Sequence, residues 1–364
     1  MILIKTIWAF LFSLLLIFQP GVTLQVKTVE EYNIGAGKQP DIAIDPNGSL
    51  RIVYGLENGK SKDLFYVVSQ DLGKTFSEPY LMGSFSKMGL GMGRGPQIAS
   101  TENYTTVTIG DLGGNLFAYR LDHEKNRWSG RIRVNDGDST ALEALSSLDA
   151  GKGNNVVAVW LDTRLEKTNN LYGALSGDGG LTWDKNILVY KGVQKGICEC
   201  CKPSVFMGAG GRIYVMFRNK LDGARNLYLT TSKDNGQRFE SAQKLGTADY
   251  MINACPMDGG DLTADTKGKV TTVWRRQTDV YLSAPGQAEI KLGQGRTPVV
   301  QQTDKGVAIA WEQNGVIQFR SPDGIETVSL GNGQYPKLAL MPNQEKIICT
   351  FEREGRIIVK LLSL

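Results

Sequence analysis

Histidine is almost absent from this chain, which has one histidine among 364 residues. A metal site built from several histidines of one chain is therefore excluded. The sequence also lacks the Gly-x-x-x-x-Gly-Lys-Ser/Thr phosphate loop and the Gly-x-Ser-x-Gly nucleophile elbow. Its net charge is only +4 and no basic cluster is present, so we predict no nucleic-acid partner. These absences leave the repeats of the chain as its most informative feature.

Long apolar segments are also scarce, and the segment that could insert into a membrane lies at the start of the sequence. Lys5 precedes a mostly apolar run over residues 7–18, and Pro20-Gly21 ends that run. This order is typical of a secretion signal, and the run is short for a membrane span. We predict a signal peptide over residues 1–24 and an exported mature chain over residues 25–364, periplasmic or extracellular and without a transmembrane segment. An uncleaved anchor is the alternative.

Glycine is abundant, with 43 residues, and three octapeptides share the template Ser-x-Asp-x-Gly-x-x-aromatic. Ser and Asp side chains bond local backbone N–H groups, glycine supplies a positive φ, and the aromatic ring packs against its sheet. The recurrence predicts a repeat architecture in which these octapeptides are structural turns. Their fixed residues are Ser69, Asp71, Gly73 and Phe76; Ser176, Asp178, Gly180 and Trp183; and Ser232, Asp234, Gly236 and Phe239.

A second repeat occurs seven times, as a short strand that opens after a polar or glycine-rich bend, often at a proline. Gln39-Pro40, Thr297-Pro298 and Tyr335-Pro336 are three of these openings. Most are followed by a turn and a β-branched or aromatic strand, a cadence typical of a propeller. We predict an all-β fold, one propeller of seven blades with six as the alternative. Residues 26–34 complete the last blade, which removes an exposed edge.

The first strand of each propeller blade runs beside the central axis, so residues that lead into these strands gather at one axial mouth. Turns between third and fourth strands, which carry the octapeptides, lie on the opposite face. The residues predicted at the mouth are Lys38, Arg94, Glu143, Cys201, Lys202, Cys255, Asp258, Arg296 and Tyr335. Loops between second and third strands add Asp111, Asp162, Arg218 and Arg275. Arginines, carboxylates and a tyrosine on loops of a rigid scaffold predict a ligand site there.

The octapeptides resemble the Asp boxes (BNR repeats) of the sialidase superfamily, a group of β-propeller proteins. In that family three arginines bind the sugar carboxylate, an Asp is the acid/base, and a Tyr activated by a Glu is the nucleophile. The resemblance implies Tyr335 as nucleophile with Glu143 or Glu312 as its partner, and Asp111 or Asp162 as acid. The substrate-binding candidates are Arg94, Arg296, Arg218, Arg275 and Lys38. The family's aromatic-Arg-Ile-Pro motif is missing; its Arg-x-Pro skeleton recurs at Arg94 and Arg296, outside the first blade.

Five cysteines are present, and four of them fall on neighbouring loops of the predicted axial mouth. Cys198-Glu-Cys200-Cys201 precedes the fourth blade, and Cys255-Pro-Met257-Asp258 opens the fifth. This pattern resembles one in a group of bacterial sialidase-like propellers. Because export favours disulfides, we predict a bridge between the two groups. The alternative is a soft-metal site, in which Cys198, Cys200, Cys201 and Cys255 bind copper(I) or zinc with the thioether of Met251 or Met257.

Two classes of function follow from these features. In the first, the protein is an exported glycoside hydrolase of sialidase type that acts on an acidic glycan at its central mouth. In the second, it is a non-catalytic propeller that binds a glycan, a protein or a soft metal there. The predicted partner is a glycan or another small acidic ligand. No cofactor is predicted except the alternative copper or zinc ion, and the sequence leaves the oligomeric state open.

Overall fold

A computed structural model describes residues 27–194, 196–343 and 345–363. They form an all-β fold of seven antiparallel sheets, with a short 3-10 turn at Ala209–Gly211. Within these ranges no helix has the length and apolar character needed to cross a membrane. The predicted signal peptide, residues 1–24, lies outside the described residues.

Each sheet is one blade, and the strands are numbered in chain order. The chain enters through β1 (Lys27–Ala36). Blade 1 contains β2 (Lys38–Ile44), β3 (Leu50–Asn58), β4 (Ser61–Ser69) and β5 (Tyr80–Phe85). Blade 2 contains β6 (Gln97–Ser100), β7 (Tyr104–Gly110), β8 (Leu116–Asp122), β9 (Arg127–Trp128) and β10 (Ile132–Arg133). Blade 3 contains β11 (Ser146–Ala150), β12 (Val156–Asp162), β13 (Asn170–Ser176) and β14 (Ile187–Tyr190).

The remaining blades follow the same order. Blade 4 contains β15 (Ser204–Met207), β16 (Ile213–Arg218), β17 (Leu227–Ser232) and β18 (Gln243–Lys244). Blade 5 contains β19 (Asp261–Ala264), β20 (Val270–Arg276), β21 (Asp279–Ser283) and β22 (Ile290–Gln294). Blade 6 contains β23 (Arg296–Thr303), β24 (Gly306–Gln313), β25 (Val316–Arg320) and β26 (Thr327–Asn332). Blade 7 contains β27 (Gln334–Leu340), β28 (Lys346–Arg353) and β29 (Arg356–Ser363).

The ring is closed by β1, which pairs with β29 and becomes the outer strand of blade 7. Tyr32 of β1 lies opposite Val359 of β29. Blade 7 thereby acquires a fourth strand, and β29 has no open edge. The predictions of seven blades and of an N-terminal strand that completes the last blade are both confirmed.

Apolar packing between neighbouring blades forms the core. Leu50 and Ile52 of β3 in blade 1 pack in one cluster with Ile357 and Val359 of β29 in blade 7. The inner strands are covered on both faces, so they are apolar at successive positions instead of alternating. All seven residues of β12, which read VVAVWLD, are buried.

The octapeptides form the turns between third and fourth strands of blades 1, 3 and 4. In each turn the serine hydroxyl donates to the aspartate carboxylate at 2.8 Å. The same serine oxygen accepts the glycine N–H, from Gly73 and Gly180 at 2.8 Å and from Gly236 at 2.9 Å. These glycines have φ of +87°, +88° and +82°, a region that other residues enter only at a cost.

Hydrogen bonds from side chain to backbone join neighbouring blades at the axis. Asp41 Oδ2 in blade 1 accepts the N–H of Ile98 in blade 2 at 3.0 Å. Asp149 in blade 3 accepts from Met207 in blade 4 at 2.6 Å, and Asp261 in blade 5 accepts from Val300 in blade 6 at 3.1 Å. At three of the boundaries between blades, these bonds therefore fix the first strand of one blade against the first strand of the next.

Glu31 of β1 provides a test of ring closure. Its carboxylate lies 2.7 Å from Arg353 and 2.8 Å from Lys360, and hydrogen bonds from these cations lower its pKa to about 2. A lowered native pKa stabilises the fold above the unfolded pKa, and this contribution disappears as pH falls towards about 2. Because Glu31 is 39% exposed, we expect Glu31→Gln to reduce the free energy of unfolding at pH 7 by at most about 1 kcal/mol.

Urea unfolding between pH 7 and pH 2 measures this effect. The difference in free energy of unfolding between wild type and Glu31→Gln should begin to shrink below about pH 4.5 and vanish towards about pH 2. Glu78→Gln, at an exposed position before β5, should show no such pH-dependent difference. A gap of the same size at every pH would contradict the assignment.

Candidate functional site

A pocket that is open to solvent lies at the axial mouth and is called the mouth pocket. Every blade except blade 3 contributes to it, through the loop or bulge that leads into its first strand. The lining residues are Gln39, Pro40, Met92, Gly93, Gly95, Gln97, Lys202, Ser204, Met257, Asp258, Gly259, Gly260, Asp261, Thr297, Pro298, Val299, Tyr335, Pro336 and Lys337. The pocket therefore lies on the face where the repeat register predicts the ligand site.

The backbone of this lining is strained. Gln39, Thr297 and Tyr335 have φ of +49°, +50° and +54°, and each precedes a proline at a bulge in its first strand. Met92 and Met257 have φ of +53° and +51°. A left-handed conformation costs a residue other than glycine about 1–2 kcal/mol. Strain of this kind is concentrated at functional sites, and bulges redirect side chains there.

Below the pocket the first strands of all seven blades enclose an axial channel that contains charged side chains. Lys337 Nζ lies 3.2 Å from Asp41 Oδ1, and Lys202 Nζ donates to Gln97 Oε1. Burial lowers the pKa of Lys202 to about 7. Burial raises the pKa of Asp149 to about 7, with smaller contributions from Asp261 and Asp41. Asp149 is half-buried because it faces the channel, and the first strands of the seven blades surround that channel.

Asp258 and Tyr335 line one side of the mouth pocket, and Arg296 lies near both of them, just outside the lining. Arg296 Nε donates to Glu312 Oε2 at 2.9 Å, while the side chain of Arg296 stays 54% exposed. Its pKa is raised mainly by this hydrogen bond, and Tyr335 and Asp258 lie close enough to add to the effect. Asp258 accepts the N–H of Thr297 at 2.7 Å, and burial raises its pKa. Tyr335 therefore lines the mouth pocket, whereas Arg296 lies outside its lining.

Arg94, Glu143 and Lys38 lie outside the pocket lining. Arg94 Nε donates to the carbonyl oxygen of Glu143 at 2.7 Å, and its guanidinium is 3.5 Å from the Glu143 carboxylate. Lys38 forms an exposed ion pair with Glu57 at 2.8 Å. Arg94 and Glu143 are therefore partners of each other.

Asp111, Asp162 and Arg218 have structural partners. Asp162 is fully buried and accepts hydrogen bonds from Trp160 and Arg164. Asp111 accepts the N–H of Asn115 at 2.8 Å and closes a turn. Arg218 is 1% exposed and donates to three main-chain carbonyl oxygens. None of the three lines the mouth pocket.

Arg275 likewise does not line the pocket, but it supplies one of the carbonyl oxygens that Arg218 binds, at 2.9 Å. Its Nε atom is buried and has no partner among the described residues. The predicted catalytic and substrate-binding roles of these residues stay predictions.

Gln39 and Lys337 line the pocket, and sequence reasoning did not select them. Gln39 is 5% exposed; its Oε1 accepts the N–H of Gly91 at 2.7 Å, but its Nε2 has no partner among the described residues. The signal in the sequence was the proline that follows Gln39. Because a bulge lies between Lys38 and Asp41, Gln39 instead of Lys38 lines the pocket.

The three clustered cysteines lie on the loop of residues 198–202, called the cysteine loop. Sγ of Cys198 is 3.6 Å from both Cys200 and Cys201, and these two are 4.0 Å apart. Hydrogen bonds from Cys200 and Cys201 lower the pKa of the Cys198 thiol, and Arg225, 3.0 Å away, contributes. All five cysteines are free thiols, and Cys255 is exposed, so the predicted bridge to Cys255 is not formed in this structure.

Comparisons with solved structures reveal the same fold at low sequence identity. The BP39L lectin from Burkholderia pseudomallei aligns with a TM-score of 0.65 and 10% identity, covering 91% of this chain and 97% of the lectin. An alpha-L-arabinanase from Penicillium chrysogenum aligns with a TM-score of 0.55 and 13% identity, covering 93% and 98% of the two chains. No protein-family model matches the chain, and a search of curated proteins finds no match.

A sialidase is also among the structural neighbours. The intramolecular trans-sialidase from Ruminococcus gnavus aligns with a TM-score of 0.49 and 12% identity, covering 91% of this chain and 96% of the enzyme. This similarity is too low to support a sialidase mechanism. The comparisons therefore establish the propeller fold and leave the activity to the site itself.

Asp149→Asn tests the electrostatics of the axial channel. With a native pKa of about 7 against 3.8 when unfolded, Asp149 keeps its proton longer in the native state. Its contribution to stability therefore falls as pH rises from about 4 to 7. The asparagine variant can still accept the Met207 N–H, so it should become the more stable protein at pH 7, by up to about 4 kcal/mol.

Urea unfolding of both proteins at pH 5, 6 and 7 measures the difference. Asp138→Asn, at a side chain that is 78% exposed, is the matched control and should not show this trend. Parallel stability curves for wild type and Asp149→Asn would show that the Asp149 pKa is not raised.

Proposed function

We propose that this protein binds an acidic carbohydrate in the mouth pocket. The observation that carries the proposal is the exposed guanidinium of Arg296 at the edge of the mouth pocket, near Tyr335, which lines the pocket at a strained bulge. Arg296 keeps most of its guanidinium free, because its one side-chain bond to Glu312 uses Nε. A planar guanidinium with its terminal nitrogens accessible binds a carboxylate in two parallel hydrogen bonds. Tyr335 offers a hydroxyl and an apolar ring beside it.

The polar groups deeper in the pocket suit a sugar with several hydroxyls. Gln39 Nε2 is a buried donor without a partner among the described residues, and Thr297 presents a partly exposed hydroxyl. A buried donor without a partner costs about 1–3 kcal/mol, so a ligand oxygen that accepts from it gains binding free energy. Pro40, Pro298 and Met257 supply apolar surface for the faces of a sugar ring.

The charge of the pocket favours an anionic ligand. Burial raises the pKa values of Asp258 and Asp261. Arg296 is 54% exposed, and Lys337 also lines the pocket. A ligand carboxylate at Arg296 would therefore have two cationic groups, Arg296 and Lys337, on its side of the pocket.

Fold-level analogy points the same way without assigning a ligand. The two neighbours with TM-scores above 0.5 described above are a lectin and an arabinanase whose structure includes arabinobiose. Propellers of this shape thus hold sugars in other proteins.

The positions of the arginines favour binding over sialidase-type hydrolysis. Arg94 is held by Glu143, and Arg218 is bound to backbone carbonyls. Only Arg296 of these three is exposed beside Tyr335, so a three-arginine clamp around one carboxylate is not assembled. Without that clamp, the sialidase-type orientation of the anomeric carbon over Tyr335 lacks support.

A glycan array followed by calorimetric titration tests this function. We expect binding of glycans that end in a sialic or uronic acid and much weaker binding of their neutral counterparts. Arg296→Ala should weaken the Kd for the acidic glycan roughly 10- to 100-fold, because a charge-assisted hydrogen bond is lost. Tyr335→Phe, which removes only the hydroxyl, should weaken it by about fivefold.

Arg238→Ala is the matched control, since Arg238 is 91% exposed and lies in an octapeptide turn on the opposite face. Its Kd should equal that of wild type. Equal binding of acidic and neutral glycans, or an unchanged Kd in Arg296→Ala, would refute the proposed carboxylate contact. Binding of no glycan on the array would refute the function.

A further inference from the structure

The cysteine loop brings three thiols to the spacing of ligands around a metal. The Sγ–Sγ distances of 3.6, 3.6 and 4.0 Å in the Cys198, Cys200 and Cys201 cluster are far longer than a disulfide bond. A tetrahedral metal with sulfur ligands at about 2.3 Å requires its sulfurs to be about 3.8 Å apart. One ion can therefore bind all three sulfurs with little movement of their side chains.

Backbone hydrogen bonds hold the cysteine loop in this conformation. Cys198 N–H donates to the carbonyl oxygen of Arg218 at 3.0 Å, and the preceding Ile197 N–H donates to Asn169 at 2.9 Å. Cys198 and Cys201 are buried, while Cys200 is half-buried. The cluster is thus positioned by neighbouring blades and has one accessible side through which an ion can enter.

Buried cations compensate the charge that three thiolates would carry. Arg225, 6% exposed, donates from Nη1 to Cys198 Sγ at 3.0 Å. Arg218, 1% exposed, donates to main-chain carbonyl oxygens, and within the described part of the chain its guanidinium has no carboxylate at hydrogen-bond distance. Charged groups around the ligands of a metal ion influence the affinity of the site for the ion in this way.

The donor set selects a soft ion. The cluster contains sulfur and no histidine or carboxylate, a composition that favours copper(I) or zinc over harder ions. Structural zinc is almost always bound by four ligands, whereas this cluster supplies three sulfurs, so we favour copper(I) over zinc.

We propose that Cys198, Cys200 and Cys201 form a trithiolate site for one copper(I) ion. Binding requires each thiol to lose its proton, so up to three protons are released and no electron is transferred. The site is separate from the mouth pocket, because none of the three cysteines lines that pocket. Its proposal therefore stands or falls independently of glycan binding.

Anaerobic copper(I) titration of the reduced full chain, against a coloured copper(I) chelator, tests the site. We expect one tightly bound copper per chain by elemental analysis. X-ray absorption should show sulfur ligands alone, at a copper–sulfur distance of about 2.2–2.3 Å. The double variant Cys200→Ser/Cys201→Ser should bind copper(I) at least 100-fold more weakly.

Two single variants serve as controls. Cys349→Ala removes the buried cysteine of β28, and Cys255→Ser removes the exposed one; both should keep one copper per chain. Thermal melting of each metal-free variant checks that it is folded, and a folded double variant that binds copper(I) as tightly as wild type would overturn the proposal. If the double variant does not fold, Cys198→Ala replaces it, with the same expected loss.

Competition with zinc and the oxidation state of the three cysteines provide two further tests. Equimolar zinc should not displace copper(I), and displacement would overturn the copper assignment. Mass spectrometry of protein trapped with a thiol reagent directly from the cell should find the three cysteines without a disulfide. A disulfide within the cluster in that sample would also overturn the proposal.

Discussion

The structure depends on a small set of carboxylates that accept backbone N–H groups across blade boundaries at the axis. Asp41, Asp149 and Asp261 each bind the first strand of the following blade, at 3.0, 2.6 and 3.1 Å. Elsewhere the blades touch mainly through apolar side chains, which pack without fixing one orientation. A hydrogen bond is directional, because it weakens steeply as the donor–hydrogen–acceptor angle departs from linearity. These bonds therefore set the register of one blade against the next, and they place acidic groups inside a narrow channel.

The same constraint explains the strained entry to the first strands. The first strands of blades 1 and 6 take part in these bonds, so the bulges before them have little freedom, and Gln39 and Thr297 are held at positive φ. Tyr335 of blade 7 has the same conformation, two residues before Lys337, which pairs with Asp41. That cost of about 1–2 kcal/mol per residue is sustained only when the surroundings determine the backbone. As a consequence, these residues line the mouth pocket in a fixed conformation before a ligand binds. Preorganised groups of this kind lose little conformational entropy on binding.

Repeat spacing predicted the fold well, and the mouth only in outline. Seven strand openings and an unpartnered N-terminal strand were sufficient for seven blades and for the closure by β1, because both follow from chain order. The spacing of the strand openings does not reveal the bulge at Gln39, so the sequence predicts Lys38 at the mouth, whereas Gln39 lines the pocket. Asp162 looked like a loop acid, but its partners Trp160 and Arg164 emerge only from the fold. The cysteines were evident, whereas their mutual distances required coordinates.

Arg218 connects the two sites that the sequence treated as alternatives. Its guanidinium donates to the carbonyl oxygens of Asp258 at 2.9 Å and Arg225 at 2.7 Å, and its own carbonyl accepts the Cys198 N–H at 3.0 Å. Asp258 lines the mouth pocket, and Arg225 contacts the cysteine cluster. A lysine has no fork of donors to reach these carbonyls together. One buried residue therefore fixes the backbone on the Asp258 side of the pocket and at the start of the cysteine loop, although the two sites share no lining residue.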